Sequence, residues 1–455
     1  MTRPLPPHVR RFHLSPPVLL LGSYALAILL GGLLLKLPIA GGPKPVNLID
    51  ALFTATSAIC VTGLTVVDTS TAWSRTGQTL IMLLIQVGGL GIITFSTFFA
   101  LILGRRIGMS QFDLVRNTLS PVRVVGIFSV VKRVFFYTIL FEALGASILF
   151  FGWVDEYGLP MAAFHALFHA VSAFCNAGFS TFPRNLMDFV GDPAVNLVVI
   201  GLIVTGGIGF LVIIDLEQWL RRRKRLALHS KLVLLVTAFL IVTGAILFYL
   251  LEVENGLKNL PFHTKLLAAL FQSVTPRTAG FNTLDYRLLT APTLFMTILL
   301  MVVGGSPAST AGGIKTSTVG VLAALARAKY RGRERVDIFR RTLPEENVNQ
   351  AISVLVISVI TLIVLCFLLL ITEGGLRPLS IEKVNFLQIA FEAASAFGTV
   401  GLSTGITPSL TPAGKILIMF LMYLGRVGPL TIVVAVAQRQ WRGQFQYAEE
   451  DVVIS

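Results

Sequence analysis

The chain has 455 residues, 54% of them hydrophobic and only 13% charged, with a mean hydropathy of +0.79. That balance excludes a water-soluble globular domain, in which about a quarter of the residues carry charge. A formal charge of +14 would suit a nucleic-acid binder, but the basic residues sit in short stretches between long apolar runs, so nucleic acid is not expected as a partner.

In chain order, nearly uncharged runs of about 20 residues, the length a helix needs to cross hydrocarbon, begin near Pro17, Thr79, Val134, Pro193, Leu232, Thr293, Ala351 and Gly414. They predict an all-α integral membrane protein with eight transmembrane helices. The first run follows Arg10 and Arg11 but is too long for the apolar core of a signal peptide, about 7–15 residues, and is expected to stay in the mature chain. Lys and Arg gather before the first run, from Arg105 to Arg133, from Arg221 to Lys231, from Arg327 to Arg341, and at Arg439 and Arg442. By the positive-inside rule these stretches and both termini face the cytoplasm. Cys60, Cys175 and Cys366 lie within or beside apolar segments and read as packing residues, not as a disulfide framework or metal site.

Four short segments share one pattern: "ALFTATSAICVTGLT" from Ala51, "ALFHAVSAFCNAGFS" from Ala166, "ALFQSVTPRTAGFN" from Ala269 and "AFEAASAFGTVGLS" from Ala390. In three of them a phenylalanine (Phe53, Phe168, Phe391) stands ten residues before a glycine (Gly63, Gly178, Gly401); Phe271 to Gly280 is one shorter. Each segment is too short to span and lies between two full spans on the extracellular side. The chain therefore reads as four tandem units of helix, pore loop and helix (M1-P-M2). Units of one orientation are related by an axis along the membrane normal, so four re-entrant hairpins converge on one pseudo-fourfold pore.

Non-helical backbone at membrane depth must be buried in protein or line a wet cavity. A dehydrated potassium ion needs rings of carbonyl oxygen, and four such turns supply four per ring. The expected donors are Val61, Thr62 and Gly63; Asn176, Ala177 and Gly178; Thr278, Ala279 and Gly280; and Thr399, Val400 and Gly401. The short helices would also aim their negative C-terminal dipole ends at the cavity beneath, which favours a cation.

A second fourfold pattern falls midway along each unit's last helix: "VGGLG" at Val87, "TGGIG" at Thr205, "VGGSP" at Val303 and "LGRVG" at Leu424. The third copy runs on into a polar stretch, 304–318, carrying Gly304, Gly305, Ser306, Ser309, Thr310, Gly312, Gly313 and Lys315. Such a stretch cannot face lipid and is expected to line the pore as a mobile gate below the filter. Arg426 takes the place of the second glycine and joins the gate set; its alternative is pairing with Glu392 or another buried acceptor. Glu142 is mid-span with no obvious partner, so helix contact and a cation-linked role both stay open. His165 and His169 have metal-ligand spacing on one helical face but no third ligand. "GGIKTS" fails as a phosphate loop because Ile314 separates Gly from Lys, and "GGLG" and "GGIG" fall short of a dinucleotide fingerprint.

Together these motifs resemble the Trk/Ktr/HKT superfamily of potassium transporters, over nearly the whole chain. Eight spans and a short N-terminus look like the KtrB membrane subunits, not TrkH, whose bacterial members usually carry two additional N-terminal helices. The resemblance implies a homodimer with one pore per subunit in a prokaryotic plasma membrane, seated on a cytosolic KtrA-like ring of RCK domains. ATP, ADP or NAD(H) would belong to that ring, leaving this chain without a cofactor beyond transported K⁺ and, in Ktr-type systems, activating Na⁺. Some plant relatives prefer sodium and have serine at the first filter position, where this chain has Gly63. Arg221–Arg225 and Arg327–Arg341 are expected to form part of the ring's docking surface. The units fall at 1–104, 105–223, 224–328 and 329–438, with a cytoplasmic tail at 439–455. Alternatives are a sodium or poorly selective cation pathway, the K⁺-translocating subunit of an ATP-driven pump, or a membrane enzyme. No paired acids, nucleophile–base pair or metal set supports the last.

Overall fold

The computed structural model describes residues 16–43, 45–91, 127–374 and 385–428. Four helices there are long and apolar enough to cross a membrane: α1 (Pro16–Leu35), α4 (Ile127–Tyr157), α8 (Leu228–Glu252) and α12 (Glu345–Gly374). Their exposed faces are apolar, as with Leu30 and Leu33 of α1, Phe239 and Val242 of α8, and Ile363 and Phe367 of α12, which suits contact with lipid chains.

Each long helix leads into a short apolar one: α2 (Leu48–Ile59), α5 (Leu159–Phe174), α9 (Phe262–Val274) and α13 (Phe386–Gly398). These are buried, with Phe53, Phe168, Phe271 and Phe391 all at 0% exposure. Each unit is completed by a second helix: α3 (Arg75–Leu90), α6 (Pro193–Gly207), α10 (Ala291–Val302) and α14 (Pro412–Val427). Side chains cap the second helices of units one, two and four at their N-terminal ends: Ser74 accepts from the Gly77 amide, Asp192 from Ala194 and Val195, and Thr411 from Gly414. Each cap satisfies donors the helix cannot use itself. In units three and four the cap is bound by a carboxylate from the end of the long helix, with Thr290 donating to Glu252 and Thr411 to Glu373.

The second helices are broken where the glycine motifs fall, and not in unit three alone. They are 16, 15, 12 and 16 residues long and stop at the glycine motifs. The last motif glycine is left-handed in three units, with φ of 81° at Gly91, 92° at Gly209 and 89° at Gly428, a geometry that ends a helix and that glycine adopts without strain. Unit three has Pro307 there, whose ring fixes φ near −65°, and the left-handed residue moves to Ala308, φ 54°. In unit two the chain resumes as α7 (Phe210–Arg222), bent by 100° from α6. In unit three it resumes as α11 (Thr316–Tyr330). The corresponding continuations after Gly91 and Gly428 lie outside the described residues, as do the unit boundaries at 104/105 and 438/439, the tail, and the basic residues of 3–11, 105–123 and 439–442.

The all-α expectation also needs one amendment. Asp337–Ile338 (β1) pairs antiparallel with Arg341–Thr342 (β2) in a two-residue-turn hairpin after α11. Unit four closes on unit one: Lys415 of α14 pairs with Asp50 of α2 at 2.7 Å, and the Tyr423 hydroxyl donates to the Leu21 carbonyl at 2.8 Å.

A candidate ion-conduction site

Beyond each short helix the backbone alternates in hand. Val61 and Gly63 have φ of 56° and 98°, Asn176 and Gly178 of 60° and 68°, Thr278 and Gly280 of 72° and 77°, and Thr399 and Gly401 of 50° and 95°. The intervening Thr62, Ala177, Ala279 and Val400 have no positive φ. Alternation of this kind turns successive N–H groups to one side and carbonyls to the other. The N–H side faces back onto the short helix: the amides of Thr62, Ala177 and Val400 donate to the carbonyls of Ser57, Ser172 and Ser395 at 2.7, 2.7 and 2.8 Å.

The carbonyl side meets the next unit. A Cβ placed on Gly63 would lie 2.4 Å from the Ala177 oxygen, on Gly178 2.8 Å from that of Ala279, on Gly280 2.3 Å from that of Val400, and on Gly401 2.1 Å from that of Thr62. The contacts run from unit one to two, three, four and back to one. They form a closed ring of four turns in chain order. Glycine is required twice over, by the positive φ and by a neighbouring backbone too close for any side chain. The twelve residues singled out as carbonyl donors all lie in this ring or at its lower edge.

Four residues that fix the ring were missed by sequence reasoning. Ser57 and Ser395 accept from the amides of Gly63 and Gly401 at 2.9 and 3.1 Å, while Ser172 donates to the Phe179 carbonyl at 2.8 Å and Thr275 to that of Phe281. The signal was present, a hydroxyl residue six positions before three of the glycines and five before Gly280. The residue after each phenylalanine also buttresses the outgoing chain in units two to four. His169 contacts Ser180 at 2.9 Å, Gln272 contacts Tyr286 at 2.6 Å, and Glu392 accepts from Thr407 and the Thr404 amide at 2.9 and 3.1 Å. His165 contacts Thr181 at 2.6 Å, so both histidines are held by hydroxyls. Among the described residues no group of three or more His, Cys, Asp or Glu could hold a metal.

Outside the ring, a cavity of about 320 Å³ is lined by Gly63, Gly178, Gly280 and Gly401, with Asp68 and Asp285 at its wall. The Arg287 guanidinium, 2.6 Å from Asp285, holds that carboxyl below its ordinary range.

On the other side lies the polar stretch between α10 and α11. It is stapled in place. Gly304 donates to the Ile314 carbonyl and Thr316 to that of Gly305, both at 2.9 Å, and the Ser306 and Thr316 hydroxyls meet at 2.9 Å. Ser306 donates from its amide to the Gly207 carbonyl at 2.9 Å, and Thr310 from its hydroxyl to the Phe174 carbonyl at 3.3 Å. Gly313 donates to the Gly425 carbonyl at 3.3 Å, and a Cβ on Gly312 would lie 2.2 Å from the Thr399 hydroxyl. Ser309 closes a turn onto the Ser306 carbonyl at 2.7 Å, and the Lys315 ammonium folds back onto the Ala311 carbonyl at 2.7 Å. The stretch therefore sits directly beneath the ring, held by units two and four.

Arg426 reaches the same place. Its guanidinium donates to the carbonyls of Thr310, Gly88 and Gly89, linking unit four to the loop and to unit one. It does not pair with Glu392, whose oxygens are taken by Ser403, Thr404 and Thr407. Glu142 is not unpartnered: Gln86 donates to it at 3.3 Å, and the Cys175 thiol lies 3.9 Å away. Arg277, 6% exposed just before the third ring segment, was also overlooked; it donates to the Thr237 hydroxyl at 3.2 Å.

Comparison with known proteins places this geometry in context. The TrkH family model, described as cation transport protein, matches residues 33–443. The Ktr system potassium uptake protein B of Bacillus subtilis is 44% identical over 440 residues, 96% of each chain. The potassium/sodium uptake protein NtpJ of Enterococcus hirae is 38% identical over 450 residues, 98% of each. The crystal structure of the potassium transporter TrkH from Vibrio parahaemolyticus superposes with a TM-score of 0.74 at 18% identity, covering 95% of this chain and 87% of that one.

Proposed function

Because the chain belongs to the TrkH family of cation transport proteins, we propose that it is a multi-pass membrane protein that takes up potassium through the ring of four backbone turns. The observation that carries this reading is the closed ring itself, in which each unit's glycine abuts a carbonyl of the next unit. Carbonyl dipoles fixed by backbone geometry can replace an ion's hydration shell without relying on the differing side chains of the four units. In this reading the four units are M1-P-M2 repeats with eight membrane passes, broken at the second glycine motif. The termini and basic loops face the cytosol, the cavity of about 320 Å³ is the outer mouth, and transport involves no catalysis.

The loop from Gly304 to Lys315 is the gate. It lies beneath the ring, and Arg426 is its latch, holding a loop carbonyl and placing a positive charge beside the ion path. The relative in Bacillus subtilis is named as part of a Ktr system, which supports a cytosolic partner. An RCK-type ring carrying the nucleotide, docked on Arg221–Arg225, and a homodimeric assembly complete the proposal. A sodium or mixed pathway is the second reading, favoured by the potassium/sodium name of the Enterococcus relative. Rubidium influx into proteoliposomes containing the purified chain, with and without excess sodium, tests the choice. Influx insensitive to sodium supports potassium selectivity, and equal competition by sodium supports the second reading. No influx with or without partner would refute both.

A further inference from the structure

Far from the ring, at the end of α8 opposite Glu252, a cleft of about 730 Å³ opens between α8, α11 and the β1–β2 hairpin. Its shape follows from residue size. A Cβ on Gly320 would lie 2.8 Å from Leu232, so the two helices touch there. The small side chains of Ala323 and Ala324 and the larger ones of Leu235 and Val236 line the cleft as an apolar wedge between the two helices. That apolar wall continues along α8 as exposed Leu235, Phe239 and Val242.

The rim is chemically different. Arg327, Arg331, Arg333, Arg335 and Arg340 line it against a single carboxylate, Asp337, which already accepts from the Thr342 hydroxyl at 2.7 Å. None of the five arginines takes part in an ion pair among the described residues. The hairpin tip adds an independent observation. Phe339 and Arg340, with φ of 49° and 62°, both occupy left-handed positions in the two-residue turn between paired Ile338 and Arg341. Such turns favour Asn-Gly, and bulky side chains there strain the backbone. Strain of this kind persists where the side chains are used. Here it sets an arginine at the cleft and a half-exposed phenylalanine beside it, with Tyr330, 93% exposed, at the end of α11.

We propose that this cleft binds an anionic phospholipid of the inner leaflet, its phosphodiester held by the arginines and one acyl chain lying in the wedge. Guanidinium forks match phosphate oxygens in pairs, aromatic side chains belong at the membrane–water boundary, and anionic lipids concentrate at the cytoplasmic surface. A free phosphate would use the arginines but not the apolar wall that runs on into the lipid-facing side of α8. An acidic protein surface would likewise leave the wedge unfilled.

The test uses the full chain in mild detergent, incubated with phosphatidylglycerol or phosphatidylcholine, with bound lipid counted by native mass spectrometry. The parent should retain phosphatidylglycerol at least tenfold over phosphatidylcholine, and inorganic phosphate should not displace it. The triple change Arg331→Ala, Arg335→Ala, Arg340→Ala should abolish the preference; these side chains are exposed, so the variant keeps the fold and the parent's gel-filtration profile. Ala324→Trp fills the wedge with every arginine retained and should lose the lipid as well. Equal phosphatidylglycerol retention in the parent and the arginine variant would overturn the proposal. Displacement by millimolar inorganic phosphate would instead assign a soluble anion. Loss of an added regulatory partner with lipid retention unchanged would assign a protein.

Discussion

Gly63→Ser is the substitution that most directly probes the ring. Gly63 sits at φ 98°, where a non-glycine residue costs about 1–2 kcal/mol. Its new Cβ would lie 2.4 Å from the Ala177 carbonyl oxygen, about 1 Å inside ordinary contact. The obstructing atom belongs to backbone, so relief must come from moving the carbonyl that the ring depends on, and the serine hydroxyl adds a ligand that suits a smaller ion. A change of about 1.4–2.8 kcal/mol in relative ion binding corresponds to a loss of roughly 10- to 100-fold in discrimination of potassium over sodium. Rubidium influx into proteoliposomes, measured across sodium concentrations and normalised to reconstituted protein, reads this ratio. Gly201→Ala serves as the comparison, because its added Cβ meets nothing within 4 Å, and it should leave selectivity unchanged. An unaltered sodium-to-potassium ratio in Gly63→Ser, at parental flux, would refute the ring as the selective element.

Arg426→Ala should raise rubidium flux several-fold and lessen dependence on a regulatory partner. It removes hydrogen bonds to Thr310, Gly88 and Gly89, each worth about 1.5–3 kcal/mol for a charged donor; deletion within 306–316 should act in the same direction, and normal insertion without faster flux would assign both to packing. Lys415→Met should destabilise by about 1–3 kcal/mol, between exposed and buried ion pairs, because the Lys415 and Asp50 side chains are only 15% and 14% exposed; thermal unfolding in detergent checks this, and Asp50→Asn with Lys415→Met should recover part of the loss. Arg287→Ala should increase influx at low ionic strength by freeing Asp285 at the outer mouth. Since Arg287 lowers the Asp285 carboxyl from its ordinary value of 3.8, its stabilisation is present above that value and fades as pH falls through the lowered one. In the variant the carboxyl returns toward 3.8, so the gain in influx should vanish at a higher pH than that at which the parent loses its Asp285 charge.

The sequence by itself determined the membrane class, the four units and the position of each ring glycine. Those features are local: an apolar run long enough to span, or a turn whose positive φ only glycine takes freely, leaves its mark in the residues that make it. The hydroxyls of Ser57, Ser172, Thr275 and Ser395 were equally legible, since they act within five or six positions of their glycines. Tertiary structure alone decided which carbonyl each glycine abuts, as Gly401 with Thr62. Partner choice for buried polar groups was likewise unreadable. Arg426 could pair with Glu392 or with loop carbonyls on sequence grounds, and packing gave Glu392 to Ser403, Thr404 and Thr407 and Arg426 to Thr310 and Gly88. Glu142 found Gln86 in α3 and Cys175 just past the end of α5. A side chain's chemistry dictates that it must be satisfied when buried, but the group that satisfies it lies wherever the fold brings distant segments together.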